Sequence, residues 1–82
     1  MMPKIGEIYK CRRGGEVFII LEIEINKKDD DISLHMKVKQ LSDVEYKKDD
    51  GYSKLEGIGT WLSLWKEDYK KLNKDKAMVE LL

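Results

Sequence analysis

The sequence predicts an all-β or β-rich α+β domain, a small antiparallel barrel or strongly bent sheet with a short C-terminal helical element. Three observations carry that prediction. Two adjacent segments alternate apolar and polar residues with period two, Gly- and Asp-rich turn formers recur between short strand-like stretches, and a charged segment with acids ahead of bases comes late in the chain. The length of 82 residues sets a single domain, residues 1–82, with one thin core.

From Glu16 to Asn26 the odd positions are Val17, Ile19, Leu21, Ile23 and Ile25, and the even ones include Glu16, Glu22, Glu24 and Asn26. From Ile32 to Lys39, Ile32, Leu34, Met36 and Val38 alternate with Ser33, His35, Lys37 and Lys39. These are two half-buried strands, joined by the polar run Asn26-Lys27-Lys28-Asp29-Asp30-Asp31 as an antiparallel hairpin. Matching the apolar faces sets Ile25 against Ile32, Ile23 against Leu34, Leu21 against Met36 and Ile19 against Val38, with Glu22 opposite His35 outside; a two-residue slip keeps the faces matched.

Upstream, residues 6–11 read as a short strand, and Arg12-Arg13-Gly14-Gly15 as a tight connection in which glycine supplies positive φ. Downstream, Lys47-Lys48-Asp49-Asp50-Gly51 echoes Lys27-Lys28-Asp29-Asp30-Asp31 at a spacing of 20 residues and predicts a second hairpin turn between strands near 41–46 and 52–55. Gly57 and Gly59 mark a bend or bulge before a strand over 60–65 with bulk on both faces. Residues 66–72 suit a short helix or 3₁₀ turn, Asn73 a stop, and 75–82 either a last helical turn capped by Asp75 or a closing edge strand.

In outline the chain resembles SH3-like barrel proteins, especially small ones of phages and their bacterial hosts. The resemblance rests on Gly6-Glu7-Ile8-Tyr9-Lys10 opening the first strand, the Gly-Gly connection, the long strand over 17–25, and Trp61 with Trp65 before a short helical turn. It implies a non-enzymatic binding module for protein or nucleic acid, and small phage members of this kind often bind and disable or redirect a host protein.

Composition removes several classes of function. Sixteen Lys or Arg balance 16 Asp or Glu, so no global field draws the molecule to nucleic acid or anionic lipid, and such binding needs a local patch. The longest apolar run, 17–21, is far too short to span a bilayer and no signal-peptide stretch opens the chain, so the expectation is a cytoplasmic protein without a membrane partner. A lone Cys11 agrees with a reducing compartment, and one Cys with one His gives no zinc set. The Asp29-Asp30-Asp31 run fails as an EF-hand, since its sixth position is Leu34 and its twelfth Gln40. No cofactor is expected.

His35 with Glu22 and Ser33 is the nearest approach to a catalytic set, and it reads more simply as a solvated cross-strand cluster. Cys11 beside Arg12 and Arg13 reads as a reactive thiolate or as a small buried hydrophobe. With no phosphate loop, nucleophile elbow or paired carboxylates in a pocket, the expectation is a protein that is not an enzyme. Phe18 and Ile20 interrupt a polar face, and Trp61 and Trp65 share one; if the four converge on the surface they anchor a protein partner, flanked by Tyr46, Tyr52 and Tyr69. The competing reading places them in the core of a curled sheet or in a homodimer seam. The first choice is therefore a module that occludes a host or bacterial cytoplasmic protein, as inhibitor or adaptor. The alternative is a nucleic-acid-binding barrel using Arg12, Arg13, Lys37 and Lys39.

Overall fold

The computed structural model describes residues 2–42, 46–48, 51–73, 75 and 78, and for 46–48 and 51–53 the backbone alone. The elements are β1 (Ile8–Cys11), β2 (Val17–Lys28), β3 (Asp31–Gln40), β4 (Tyr46–Lys48), β5 (Gly51–Ser53), β6 (Gly57–Trp61), α1 (Leu62–Asp68) and β7 (Tyr69–Leu72). Five strands form an antiparallel sheet in the order β6-β3-β2-β1-β7, and β4 pairs with β5 as a separate hairpin.

Helix α1 forces this sheet to bend. In a flat sheet β6 and β7 lie four strand spacings apart, about 19 Å. The chain leaves β6 at Trp61, advances about 10.5 Å through the seven helical residues and enters β7 at Tyr69. Only a curled sheet brings its two edge strands within that reach. The strand-rich, strongly bent antiparallel fold with a short late helix is thus the one the alternation predicts.

The β2–β3 pairing departs in register from the expected one. Beyond the bulge Ile25 faces Leu34, Ile23 faces Met36, Glu24 faces His35 and Glu22 faces Lys37, one slip of two from the expected pairs. Before it, Ile20 faces Val38 and Phe18 faces Gln40, because a β-bulge at Leu21 shifts the ladder by one residue. The run 17–21 is apolar throughout, so both phases of the strand bury well there, and the bulge brings Phe18, Ile20 and Ile23 to one face. Val17 goes to the other, into a smaller cluster with Leu72, Ile8 and Leu41, while Leu21 is left exposed.

The main core holds Tyr9, Phe18, Ile20, Leu34, Met36, Val38, Ile58 and Trp65. The hairpin turn is tighter than the polar run suggested. Both strands extend to Lys28 and Asp31, so Asp29-Asp30 alone make the turn, with Asp29 at φ 49°, a conformation Asp tolerates better than most residues. At the β1–β2 turn Gly15 takes φ 79°, its N–H donating to the Cys11 carbonyl at 2.9 Å while Cys11 N–H donates to Glu16.

The segment after residue 60 differs most from expectation. The strand ends at Trp61, the helix occupies 62–68 instead of 66–72, and 69–72 is the strand β7, paired with β1 from Ile8–Leu72 to Cys11–Tyr69. Leu62, Trp65 and Tyr69 recur at helical spacing and all pack on the core, which favours helix over the two-faced strand. The side chain of its N-cap, Trp61, makes no capping bond; Asp31 of the adjacent strand β3 holds the first turn through its side chain instead, accepting from Ser63 Oγ at 2.7 Å and from Ile32 N–H at 2.8 Å. Those hydrogen bonds, Ser63 first, lower the Asp31 carboxyl below its ordinary pKa.

The second hairpin turn falls where the Lys-Lys-Asp-Asp echo places it, with Lys48 pairing Gly51 and Tyr46 pairing Ser53, but its strands differ from the expected 41–46 and 52–55: Leu41, Ser42, Lys54 and Leu55 lie outside any strand, and residues 43–45, 49 and 50 lie outside the described residues. Asp75 and Met78 are helical, and the rest of the expected 75–82 element lies outside the described residues.

A buried polar cluster fixes the end of β3. Ser42 Oγ accepts from Val17 N–H at 3.1 Å, Gln40 Nε2 donates to the Ser42 carbonyl at 3.1 Å, and Leu55 N–H donates to Gln40 Oε1 at 2.7 Å. A second cluster centres on Glu7, which accepts from Lys4 N–H at 2.7 Å and Tyr9 Oη at 3.0 Å and pairs with Lys71 Nζ at 2.6 Å. Burial opposes ionisation of Glu7, but the bonds from Lys71, Lys4 and Tyr9 outweigh it and hold its carboxyl below the usual value.

Candidate protein-binding face

The ladder alone decides which side chains share the outer face of β2, β3 and β6, because residues directly opposite one another point the same way. Three rows cross that face: Glu22, Lys37 and Gly57; Glu24, His35 and Gly59; Asn26, Ser33 and Trp61. The rows between them, Ile23 with Met36 and Ile58, and Ile25 with Leu34 and Thr60, turn to the core side.

Of the four anchors expected from sequence, only Trp61 reaches this surface, at 40% exposure. Phe18 (0%), Ile20 (1%) and Trp65 (2%) are core residues, so the four-residue apolar patch does not form. The bulge at Leu21 turns Phe18 and Ile20 inward, and the helix carries Trp65 to the opposite side from Trp61. Tyr69 is half-buried, stacked on Trp65 with centroids 4.3 Å apart and edge-on to Phe18 at 5.7 Å. Burial, with the charges of Cys11, Asp68 and Glu16 behind it, pushes its phenol up to about 12. Tyr46 and Tyr52 sit on β4 and β5, and their side chains lie outside the described residues.

The glycines that the sequence marks as a bend are instead the floor of a groove. An open cleft of about 770 Å³ runs over Gly57 and Gly59, walled by exposed Ile5 and by Glu22, Glu24, His35, Lys37 and Glu56. The His35 ring leans over Gly59, where a Cβ would meet its Cδ2 at 3.3 Å. Three carboxylates against one ammonium make this cleft acidic. The signal for it was present in the sequence: Gly57, Gly59 and Trp61 stand at period two, and with Ile58 and Thr60 on the other face they describe a strand with one side left bare.

The basic residues are spread out. Arg12 and Arg13 are exposed at the β1–β2 turn, where the Glu16 carboxylate folds over Gly14 beside them. Lys37 and Lys39 stand on the outer face of β3, opposite Glu22 and Ile19, and line an adjoining cleft of about 540 Å³ with exposed Leu21 and Lys54; it shares Lys37 and Glu56 with the acidic groove. The four expected phosphate contacts therefore do not form one patch.

His35 faces Glu24 instead of Glu22, and Ser33 is one alternate position along β3, about 7 Å away. Glu24 and His35 are exposed and Ser33 is half-buried beside Trp61. Cys11 is half-buried opposite Tyr69. Among the described residues no group of three or more His, Cys, Asp or Glu is placed to hold a metal ion, and no helix is long and apolar enough to cross a membrane.

Comparison of the chain with protein-family models, with curated proteins and with solved structures gives no match.

Proposed function

We propose that this chain is a non-enzymatic protein-binding module whose working surface is the outer face of β2, β3 and β6. The observation that carries the reading is the exposed Trp61 at the end of a strand whose other two outward positions are glycine, so that an aromatic anchor stands beside an uncovered acidic groove. The apolar surface of Trp61 and Ile5 supplies affinity, the charged rim of Glu22, Glu24, Lys37 and Glu56 supplies steering, and the partner is occluded by contact alone. The sheet order, with the first strand between the second and the last, supports an SH3-like barrel. On that resemblance the partner is a bacterial cytoplasmic protein and the module a phage-type inhibitor or adaptor.

The test is capture from bacterial lysate by the tagged chain, in nuclease-treated and untreated halves, beside the Trp61→Ala variant. A stoichiometric protein that survives nuclease and is lost with Trp61→Ala is the expected result. Recovery that vanishes with nuclease, or that Trp61→Ala leaves intact, overturns the reading.

A further inference from the structure

We infer that β6 binds its partner by strand addition, taking an extended segment that alternates Lys or Arg with β-branched residues. The inference rests on the protein-binding reading and names the mode and chemistry of that binding. It starts from the backbone. Val38 N–H donates to the Glu56 carbonyl at 2.9 Å, in the same register that pairs β3 with β6. In an antiparallel ladder bonded and non-bonded pairs alternate, so Ile58 and Thr60 direct their N–H and C=O groups to β3, and Gly57 and Gly59 direct theirs away from it. The Trp61 N–H points the same way, while its carbonyl opens α1.

Among the described residues these outward groups lie on an edge, since β6 has β3 as its one neighbour in the sheet. Natural edges are usually guarded by Lys, Pro or a bulge. The opposite edge, β7, carries Lys70 and Lys71 in its four residues, whereas β6 reads Gly-Ile-Gly-Thr-Trp with no charge and no proline. Among the described residues one edge is protected against pairing and the other is uncovered, with both outward-bonding glycines exposed. That contrast is the mark of an edge left open for use.

The groove supplies the chemistry of the guest. Residues of an added strand opposite Gly57 and Gly59 point to the outer face, where no Cβ obstructs them and the cleft is acidic through Glu22, Glu24 and Glu56. Long cationic side chains fit this place, their stems crossing the open floor at Gly57 beside Ile5 and the His35 ring that leans over Gly59, and their heads among the carboxylates. The alternate residues of the guest lie beside Ile58 and Thr60, which favours Val, Ile or Thr.

The probe is a seven-residue peptide alternating Lys and Val, with an alternating Glu and Val peptide as its counterpart, titrated into isotope-labelled protein and followed by amide NMR. The expected result is that the Gly57, Gly59 and Trp61 amide signals move, their hydrogen exchange slows, and the basic peptide binds at least tenfold more tightly than the acidic one. Gly57→Pro removes an outward N–H and no β3 bond, and a Cβ there meets nothing closer than the Met36 carbonyl at 3.6 Å. It loses binding by tenfold or more with the monomer fold retained. The double variant Glu24→Gln, Glu56→Gln abolishes the basic preference without touching the strand. Unmoved Gly57 and Gly59 signals, equal binding of both peptides, or movement of those signals with protein concentration alone, which marks a second copy on the edge, overturns the inference. Loss of lysate capture in Trp61→Ala but not in Gly57→Pro leaves the protein-binding reading standing and removes strand addition; retention in both removes both.

Discussion

Replacing Trp65 by Ala and, separately, Trp61 by Ala divides the two tryptophans between stability and binding. Trp65 is 2% exposed and contacts three rings, Tyr69 at 4.3 Å, Tyr9 at 4.8 Å and Phe18 at 6.4 Å. Truncation of a buried aromatic costs about 3–5 kcal/mol, and the lost ring pairs place this site toward the upper end. A domain of 82 residues has roughly 4–12 kcal/mol in all, so Trp65→Ala removes a large share of it or unfolds the chain. Trp61 is 40% exposed at a sheet edge, and its truncation costs about 1 kcal/mol or less. Urea titration followed by far-UV circular dichroism reads both without depending on the fluorophores being removed. Equal losses in the two variants, or a loss under about 1 kcal/mol for Trp65→Ala, refutes the assignment of one ring to the core and the other to the surface.

Four further outcomes follow from the local structure. Glu7 has a lowered pKa in the fold, so its contribution is present above the unfolded value of 4.5 and is lost as pH falls through the folded value; Glu7→Gln lowers stability at neutral pH by about 1–2 kcal/mol and flattens the acid limb of a pH-dependent thermal melt. Tyr9 and Tyr69 are each raised from 10.0 to about 12, chiefly by burial, so the folded state holds more protons than the unfolded one in that window and the melting temperature falls as pH rises from about 10 to about 12; a flat profile there contradicts their placement. Ser42→Ala strips the Val17 N–H of its buried acceptor and costs about 1–3 kcal/mol in denaturant titration. Gly15→Ala costs about 1–2 kcal/mol by forcing a side chain into φ 79°, whereas Gly14→Ala, which meets only the movable Glu16 side chain, costs less in the same assay.

The long hairpin was legible because strict alternation in residues 22–25 and 32–38 ties each side chain to a face. Where the run 17–21 is apolar at every position, alternation carries no phase, and the bulge that sends Phe18 and Ile20 inward is decided by packing against Tyr9 and Trp65. The stretch 61–65 failed for a related reason: five residues with apolar groups at both spacings fit a strand or a helical turn, and the choice follows from pairing 69–72 with β1 some 60 residues earlier. The groove was partly legible. Gly57 and Gly59 were visible as breakers, but their role as a bare strand face depends on β3 lying beside them, a long-range fact. For Trp61 and its three companions the sequence leaves surface anchor and core residue both open, and the structure exposes Trp61 and buries the others, since a buried apolar residue and a binding one look alike until their neighbours are known.

The most direct test of the binding face places a photo-crosslinking amino acid at position 61, and as a control at Lys28 on the exposed hairpin tip, in nuclease-treated bacterial lysate. A single discrete protein adduct from position 61 and none from position 28 is the expected result. No protein adduct from position 61, or the same adducts from both positions, contradicts the assignment of the binding face.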